Sequence, residues 1–350
     1  MAFGCTHISR LIGGTSVDKG AFRSRLFSIT HLLHLTNYTF MKSFISVIVF
    51  YFLILLASAA WAQQAPANKV IVTGVRFAYP LLEKWIQDYK EVNPNAEIVI
   101  ESRTTTDPAK YDLLIEAYEP ELSVKETREY LYLARYAILP IANATSVFAK
   151  LYREKGLTNE LIKQIYFHDI LADKSEAKAI AAPFTVYTRL QKAGAPTTFA
   201  QHFDYTQQNI KGKAIAGADE HLIKALQKDS TAISYSTPSL LYDLKTRQLV
   251  PGVAIIPIDL DGNNRVNESE RIYSDLDTAL KALEEGDVKN VPIGHLHISI
   301  SKINERPEAL KFLLWILQNS QDDLHQFGYL KPDQKRFDQE KEKFEQRALK

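Results

Sequence analysis

From Lys69 onward, short apolar runs alternate with longer stretches in which apolar residues recur every three or four positions. Val70-Ile71-Val72 reads as a first strand that ends in the glycine turn Thr73-Gly74-Val75. A helix then opens at Tyr79-Pro80, because proline suits the first helical turn and Leu81, Leu82, Trp85 and Ile86 share one face. Asn93-Pro94-Asn95 turns into a second strand over 96–100, 111–118 reads as a third, and 124–133 has helical spacing. The order β-α-β-α-β predicts a parallel sheet covered by helices.

Residues 136–143 read as one strand crossing into a second lobe. Beyond it, Thr158 is the candidate cap of a helix that turns Leu161, Ile162 and Ile165 inward. Strands are expected at 179–187, 232–235, 253–259 and 293–300. Helical spacing returns at Leu222, Ile223 and Leu226, and again over 307–317 before the turn 328–332. The charge-rich end, 335–350, reads as a solvated helix or a frayed terminus.

A separate pattern stands ahead of this part. Met41-Lys42 precedes a run from Phe44 to Ala60 that is apolar apart from Ser46 and Ser58, and Ala60-Trp61-Ala62 offers small residues to a signal peptidase. Residues 41–62 are therefore expected to be a signal peptide cleaved near Ala62, which places the protein in the periplasm. A retained membrane anchor is the competing reading. Residues 1–40 lie upstream of a complete signal sequence and read as an early start or a disordered segment.

Composition narrows the picture further. A chain of 350 residues, 46% hydrophobic, suffices for two ordinary cores, and a net charge of +1 gives no general attraction to nucleic acid. Cys5 is the one cysteine and lies in the upstream segment, so an intramolecular disulfide and a cysteine metal cluster are excluded.

The phrases Gly74–Trp85, 138–143, 157–166, Arg189 with Gly194, 232–235 and Ala309–Trp315 with Gly328-Tyr329 occur in an order that resembles the phosphate-binding proteins of ABC importers, the PstS-like periplasmic binding proteins. The resemblance spans roughly Lys69 to Pro332. It implies an α/β, two-lobe periplasmic-binding-protein fold of type II, each lobe a mixed, mostly parallel sheet flanked by helices, with two hinge crossings. Residues 69–140 and 290–335 would form one lobe, 141–289 the other, and 336–350 a charged tail.

It also implies a ligand set. Phe77 would offer its N–H, Thr104 or Thr105 a hydroxyl after the second strand, and Arg189 with Gly194 the second-lobe contacts. The family's carboxylate position falls near Tyr118 or Glu119. Arg76 replaces a hydroxyl residue, and the Ser and Thr that flank the family's glycine are Ala193 and Ala195 here. Two hydroxyl donors are lost and one guanidinium is gained. The implied function is capture of phosphate or a related small oxyanion for a membrane transporter permease, by a non-enzymatic monomer. The alternative is a binding-protein fold that has lost its ligand and serves as an envelope interaction or signalling partner.

Two further constellations carry chemistry. Asp259, Asp261, Asn263, Arg265 through its carbonyl, Asn267 and Glu270 have the spacing of an EF-hand-type calcium loop, with Asn264 where glycine usually stands. A structural calcium ion and a polar hairpin with local Asx turns explain that loop equally well. His295 and His297 lie on one face of a predicted strand with no recognisable third ligand, so they read as a packed or surface pair.

Overall fold

The computed structural model describes residues 69–350 except 103–106, 119–121, 169–179, 181, 303–305 and 349–350. The expected signal peptide, its upstream segment, Thr104 and Thr105 lie outside the described residues.

Among the described residues, ten strands form two five-stranded sheets. The first holds β1 (Lys69–Gly74), β2 (Glu97–Ile100), β3 (Leu113–Glu116), β4 (Arg128–Ala137) and β10 (Ile293–Ser301) in the order β2-β1-β3-β10-β4. The second holds β5 (Leu139–Asn143), β6 (Thr185–Arg189), β7 (Lys213–Ile215), β8 (Ala232–Ser236) and β9 (Val253–Ile255) in the order β7-β6-β8-β5-β9. In the first sheet β2 and β3 run parallel to β1, while β10 is antiparallel to both β3 and β4. In the second, β6 runs parallel to β7 and β8, while β5 is antiparallel to both β8 and β9. Each sheet is therefore mixed, with a single reversed strand, β10 or β5, between parallel neighbours.

The helices are α1 (Tyr79–Val92), α2 (Leu122–Thr127), α3 (Val147–Lys155), α4 (Asn159–Tyr166), α5 (Gly194–His202), α6 (Asp219–Lys228), α7 (Pro238–Leu241), α8 (Leu276–Glu285), α9 (Pro307–Asn319) and α10 (Gln334–Ala348). Local chemistry accounts for several boundaries. Pro80 sits in the first turn of α1, which buries Leu81, Leu82, Trp85, Ile86 and Tyr89. Thr158 caps α4 by accepting the Leu161 N–H at 3.4 Å, and Ser146 caps α3 through the Ala149 N–H at 2.8 Å. All four residues of β3 are buried, as expected of a strand covered on both faces.

The expected single strand over 136–143 is two strands broken at Ile138, so that Ala137 ends the first sheet and Leu139 begins the second. The returning chain runs beside this step, because the Ile138 N–H donates to the Pro292 carbonyl at 2.9 Å. Two antiparallel crossings thus join the sheets side by side.

Two further expectations change. Residues 128–133, assigned to a helix by their spacing, lie in β4, which pairs with β10 along its length apart from a bulge at Leu296/His297. Alternation of Tyr130 and Tyr132 with Leu131 and Leu133 suits a pleated surface, and pairing with β10 overrides the helical periodicity. The charge-rich end is a helix, but it is docked on β4. Phe337 and Phe344 of α10 are buried, the Arg336 guanidinium lies 3.3 Å from the Tyr132 ring centroid, and Glu340 accepts the Tyr132 N–H at 2.9 Å. A carboxylate therefore occupies a donor on the sheet edge that would otherwise invite another strand.

Replacing the fully buried Phe344 with alanine should destabilise the fold by about 3–5 kcal/mol. Chemical denaturation checks this; a loss below about 0.5 kcal/mol would mean that the helix end is solvated after all.

Candidate functional site

The carboxyl ends of β1, β3, β6 and β7 meet at a cleft of about 440 Å³. Gly74, Val75 and Arg76 enter it at the end of β1, Tyr118 after β3, and Arg189, Gln191, Lys192, Ala193 and Gly194 at the end of β6. Gly217, Ala218 and Asp219 complete it between β7 and α6. Gly74 is required by its backbone, with φ +140° and an added Cβ only 1.9 Å from the Ile115 carbonyl oxygen. Gly194 is required by contact: a Cβ there would fall 2.5 Å from the Ala117 Cβ and 2.7 Å from its carbonyl oxygen. The N-terminus of α5 thus abuts the end of β3, which belongs to the other sheet. Tyr136 fixes the same junction, donating to the Ala117 carbonyl and sharing a 3.0 Å hydrogen bond with Thr198 of α5.

Arg76, Arg189 and Gly194, singled out from the sequence, are all brought into this cleft. Phe77 is not in its walls. Its ring is buried against Tyr136 and Tyr329, and its carbonyl accepts the Tyr329 hydroxyl at 2.9 Å. Arg103, Thr104, Thr105 and Glu119 lie outside the described residues.

The charges are unequal. Arg189 Nη1 donates to Asp219 Oδ1 at 2.8 Å, and the side chains are only 10% and 14% exposed. Arg189 Nε is buried and has no hydrogen-bond partner among the described residues. Burial pushes the Asp219 carboxyl above its usual range, and the attraction of Arg189 only partly opposes this. Lys192 lies over the Tyr118 ring, 5.1 Å from its centroid, and Arg76 is exposed at the mouth. Gln207 braces the β6 loop by donating to the carbonyls of Arg189 and Gln191 at 3.3 and 3.0 Å, and it accepts the Ala193 N–H at 3.3 Å. Three cationic side chains face one carboxylate, and α5 and α6 both begin here, so the cleft suits an anion.

The acidic loop lies outside this cleft. Ligand oxygens of Asp259, Asp261 and Glu270 fall within 4.8 Å of one another, a donor set of the kind that hard cations take. Its carboxylates also hold the loop themselves. Asp259 accepts the N–H groups of Gly262, Asn263 and Asn264 at 2.8–3.1 Å, and Glu270 accepts those of Leu260 and Asn267 at 2.6 and 2.7 Å. Asp261 accepts from Asn263, whose own side-chain oxygen accepts the Arg265 N–H at 2.9 Å. Asn264 takes the left-handed φ of +65° that the sixth loop position needs. His297 is buried between the rings of Tyr130 and Tyr132, and His295 packs edge-on against Tyr132; among the described residues neither joins a metal-type cluster.

No family model matches this chain, and no curated protein matches it in sequence. Solved structures do match in three dimensions. A Clostridium perfringens protein assigned to the phosphate ABC transporter substrate-binding proteins, solved with phosphate bound, is 17% identical with a TM-score of 0.56, covering 76% of this chain and 100% of its own. An ABC-type phosphate transport receptor from Vibrio cholerae is 14% identical with a TM-score of 0.51, covering 75% of this chain and 100% of its own. The fold is that of the type II periplasmic binding proteins. At these identities the likeness is one of fold. Among the described residues no helix is long and apolar enough to cross a membrane.

Within this binding-protein fold, sequence reasoning missed Asp219, Gln191 and Lys192. Ala216-Gly217-Ala218-Asp219 repeats the strand, glycine turn and helix start of 72–80, and that repetition was the available signal. The three-residue strand β7 ahead of it is too short to stand out from its surroundings.

Two measurements test this description. Because burial raises the Asp219 pKa, the unfolded chain releases that proton first as pH rises from about 3.8, and the native state then binds more protons. Stability relative to Asp219→Asn should fall as pH rises through that window and level off above the folded pKa. Thermal melting of both proteins from about pH 3.5 to 7 reads this; the opposite trend would mean that Arg189 outweighs burial. Asp259→Ala removes the acceptor of three loop N–H groups and should cost about 2 kcal/mol in denaturant unfolding.

Proposed function

We propose that the protein is an exported solute-binding protein that captures phosphate or a related small oxyanion between its lobes and presents it to a membrane transporter. One observation carries this reading: Arg189 keeps a buried Nε without a hydrogen-bond partner among the described residues, in a cleft where cationic side chains outnumber the one carboxylate. Leaving a buried charged donor unmade costs free energy that an anion would recover. Arg76 supplies a second guanidinium from the opposite lobe, so an anion seated between them would link the two lobes.

Asp219 bears on which protonation state is taken. Its carboxylate excludes an additional negative charge beside Arg189 but accepts a hydrogen bond from a protonated ligand oxygen. It thereby fills the role that the family's pattern places near Tyr118 or Glu119. The cleft volume of about 440 Å³ lies within the range of small-molecule pockets, so organic phosphates and carboxylates also fit by size. A ligand-free interaction partner is the second reading, favoured by the ion pair in which Asp219 already neutralises Arg189.

Calorimetric titration of the chain from Gln63 onward with phosphate, sulfate and small carboxylates separates the two. One anion per chain should bind, and Arg189→Gln should weaken it roughly ten- to a hundredfold, the worth of one charge-assisted hydrogen bond. Silence across the panel, with no shift in melting temperature, would favour the interaction partner.

A further inference from the structure

A second cavity, of about 650 Å³, opens at the far end of the first sheet. β4 runs in the direction of β1 and β3, so its first residues, Arg128–Tyr132, lie at the end opposite the cleft. Its walls combine the end of α2, the start of β4, Lys302 after β10, and α10. Lys125, Arg128, Lys302, Arg336, Lys343 and Arg347 line it, against the two carboxylates of Glu129 and Glu340. The whole chain carries a net charge of only +1, so this is a concentration of charge and not an average property.

Both carboxylates are engaged. Glu129 pairs with Arg347, and Glu340 pairs with Arg336 at 3.0 Å while accepting the Tyr132 N–H. Arg128 and Lys302, by contrast, donate their hydrogen bonds to neutral oxygens, although the carboxylates of Glu116 and Asp112 lie close enough to act on Arg128 through their charge. Arg128 donates from Nε to Ser299 Oγ at 2.9 Å and from Nη2 to the carbonyls of Asp112 and Ser299 at 3.0 and 2.9 Å. Its side chain belongs to a residue only 2% exposed, and Nη1 is buried with no hydrogen-bond partner among the described residues. Lys302 Nζ donates to the carbonyls of Lys125 and Glu126 at 2.9 and 3.2 Å. Neutral partners fix the position of Lys302 without cancelling its charge, and they hold Arg128 in place at the cavity wall, which is the preorganisation an anion site needs. Lys343 is exposed on α10 at the rim.

We propose that this cavity is a second anion site, independent of the inter-lobe cleft, for a ligand carrying more than one phosphate-type group. Guanidinium and ammonium groups arranged around one volume match clustered oxyanions better than a single charge. The rings of Tyr130 and Tyr132 add apolar wall, and the volume exceeds that of the cleft. A lipid headgroup that carries two phosphates and a soluble polyphosphorylated molecule share this chemistry.

The test is calorimetric titration of the chain from Gln63 onward with tripolyphosphate, in the wild type and in Arg189→Gln, whose cleft is weakened. Binding of one tripolyphosphate in both proteins, weakened by added salt, is expected. Lys343→Glu, at an exposed position, should weaken it at least tenfold without altering phosphate binding in the cleft, and Lys302→Gln should do the same. Arg128→Gln should abolish it if that buried variant folds. Flotation with vesicles containing cardiolipin, whose headgroup carries two phosphates, identifies the source. Co-flotation that Lys343→Glu abolishes and tripolyphosphate competes away supports a headgroup, whereas tripolyphosphate binding without co-flotation supports a soluble ligand. No tripolyphosphate binding to the wild type, or binding lost in Arg189→Gln and unchanged in Lys343→Glu and Lys302→Gln, overturns the proposal.

Discussion

The close approach of three backbone segments at the end of β3 is the constraint on which the rest of the structure depends. Gly74 leaves β1 over the Ile115 carbonyl, and Gly194 starts α5 against Ala117, two residues further on. A side chain at either position would force these segments apart, because each added Cβ would meet backbone and not the movable end of a side chain. Those two contacts fix the distance between the loops that carry Arg76 and Arg189. Tyr136, fully buried, holds the junction through Ala117 and Thr198, and burial raises the pKa of its hydroxyl, so it stays a neutral donor at physiological pH.

Charge is treated differently at the two ends of the first sheet. In the cleft, Arg189 has a carboxylate partner, Asp219, whose ionisation is itself disfavoured by burial, so the pair is poised and not inert. At the far end, Arg128 donates to neutral acceptors, and burial lowers the pKa of its guanidinium against the opposing pull of nearby groups that include Glu116 and Asp112. Each arrangement leaves one guanidinium nitrogen without a hydrogen-bond partner among the described residues. Both lie next to cavities with a surplus of cations, and this shared feature links the two proposed anion sites.

The reversed strands make these sites possible. β10 enters between β3 and β4 and brings Ser299 and Lys302 beside Arg128, from which they are separated by more than half of the described chain. β5 does the corresponding work in the second sheet, inserting between β8 and β9. Because both crossings run side by side at Ile138 and Pro292, relative movement of the sheets would be concentrated on a few backbone positions.

The sequence by itself determined the local units. Gly74 followed by Pro80 marks a strand, turn and helix; Thr158 marks the cap of α4; and the spacing of Leu81, Leu82, Trp85 and Ile86 sets the buried face of α1. It also placed Arg76, Arg189 and Gly194 at strand ends, where the fold gathers them. These signals are legible because periodicity and capping act within a few residues. Only the tertiary structure decided that 128–133 is a strand, that the charged C-terminal helix seals the β4 edge, that Phe77 packs in the core, and that Asp219 is the partner of Arg189. Each of those outcomes depends on which distant segment arrives alongside, and strand pairing, edge covering and ion pairing across the chain leave no periodic trace in the sequence.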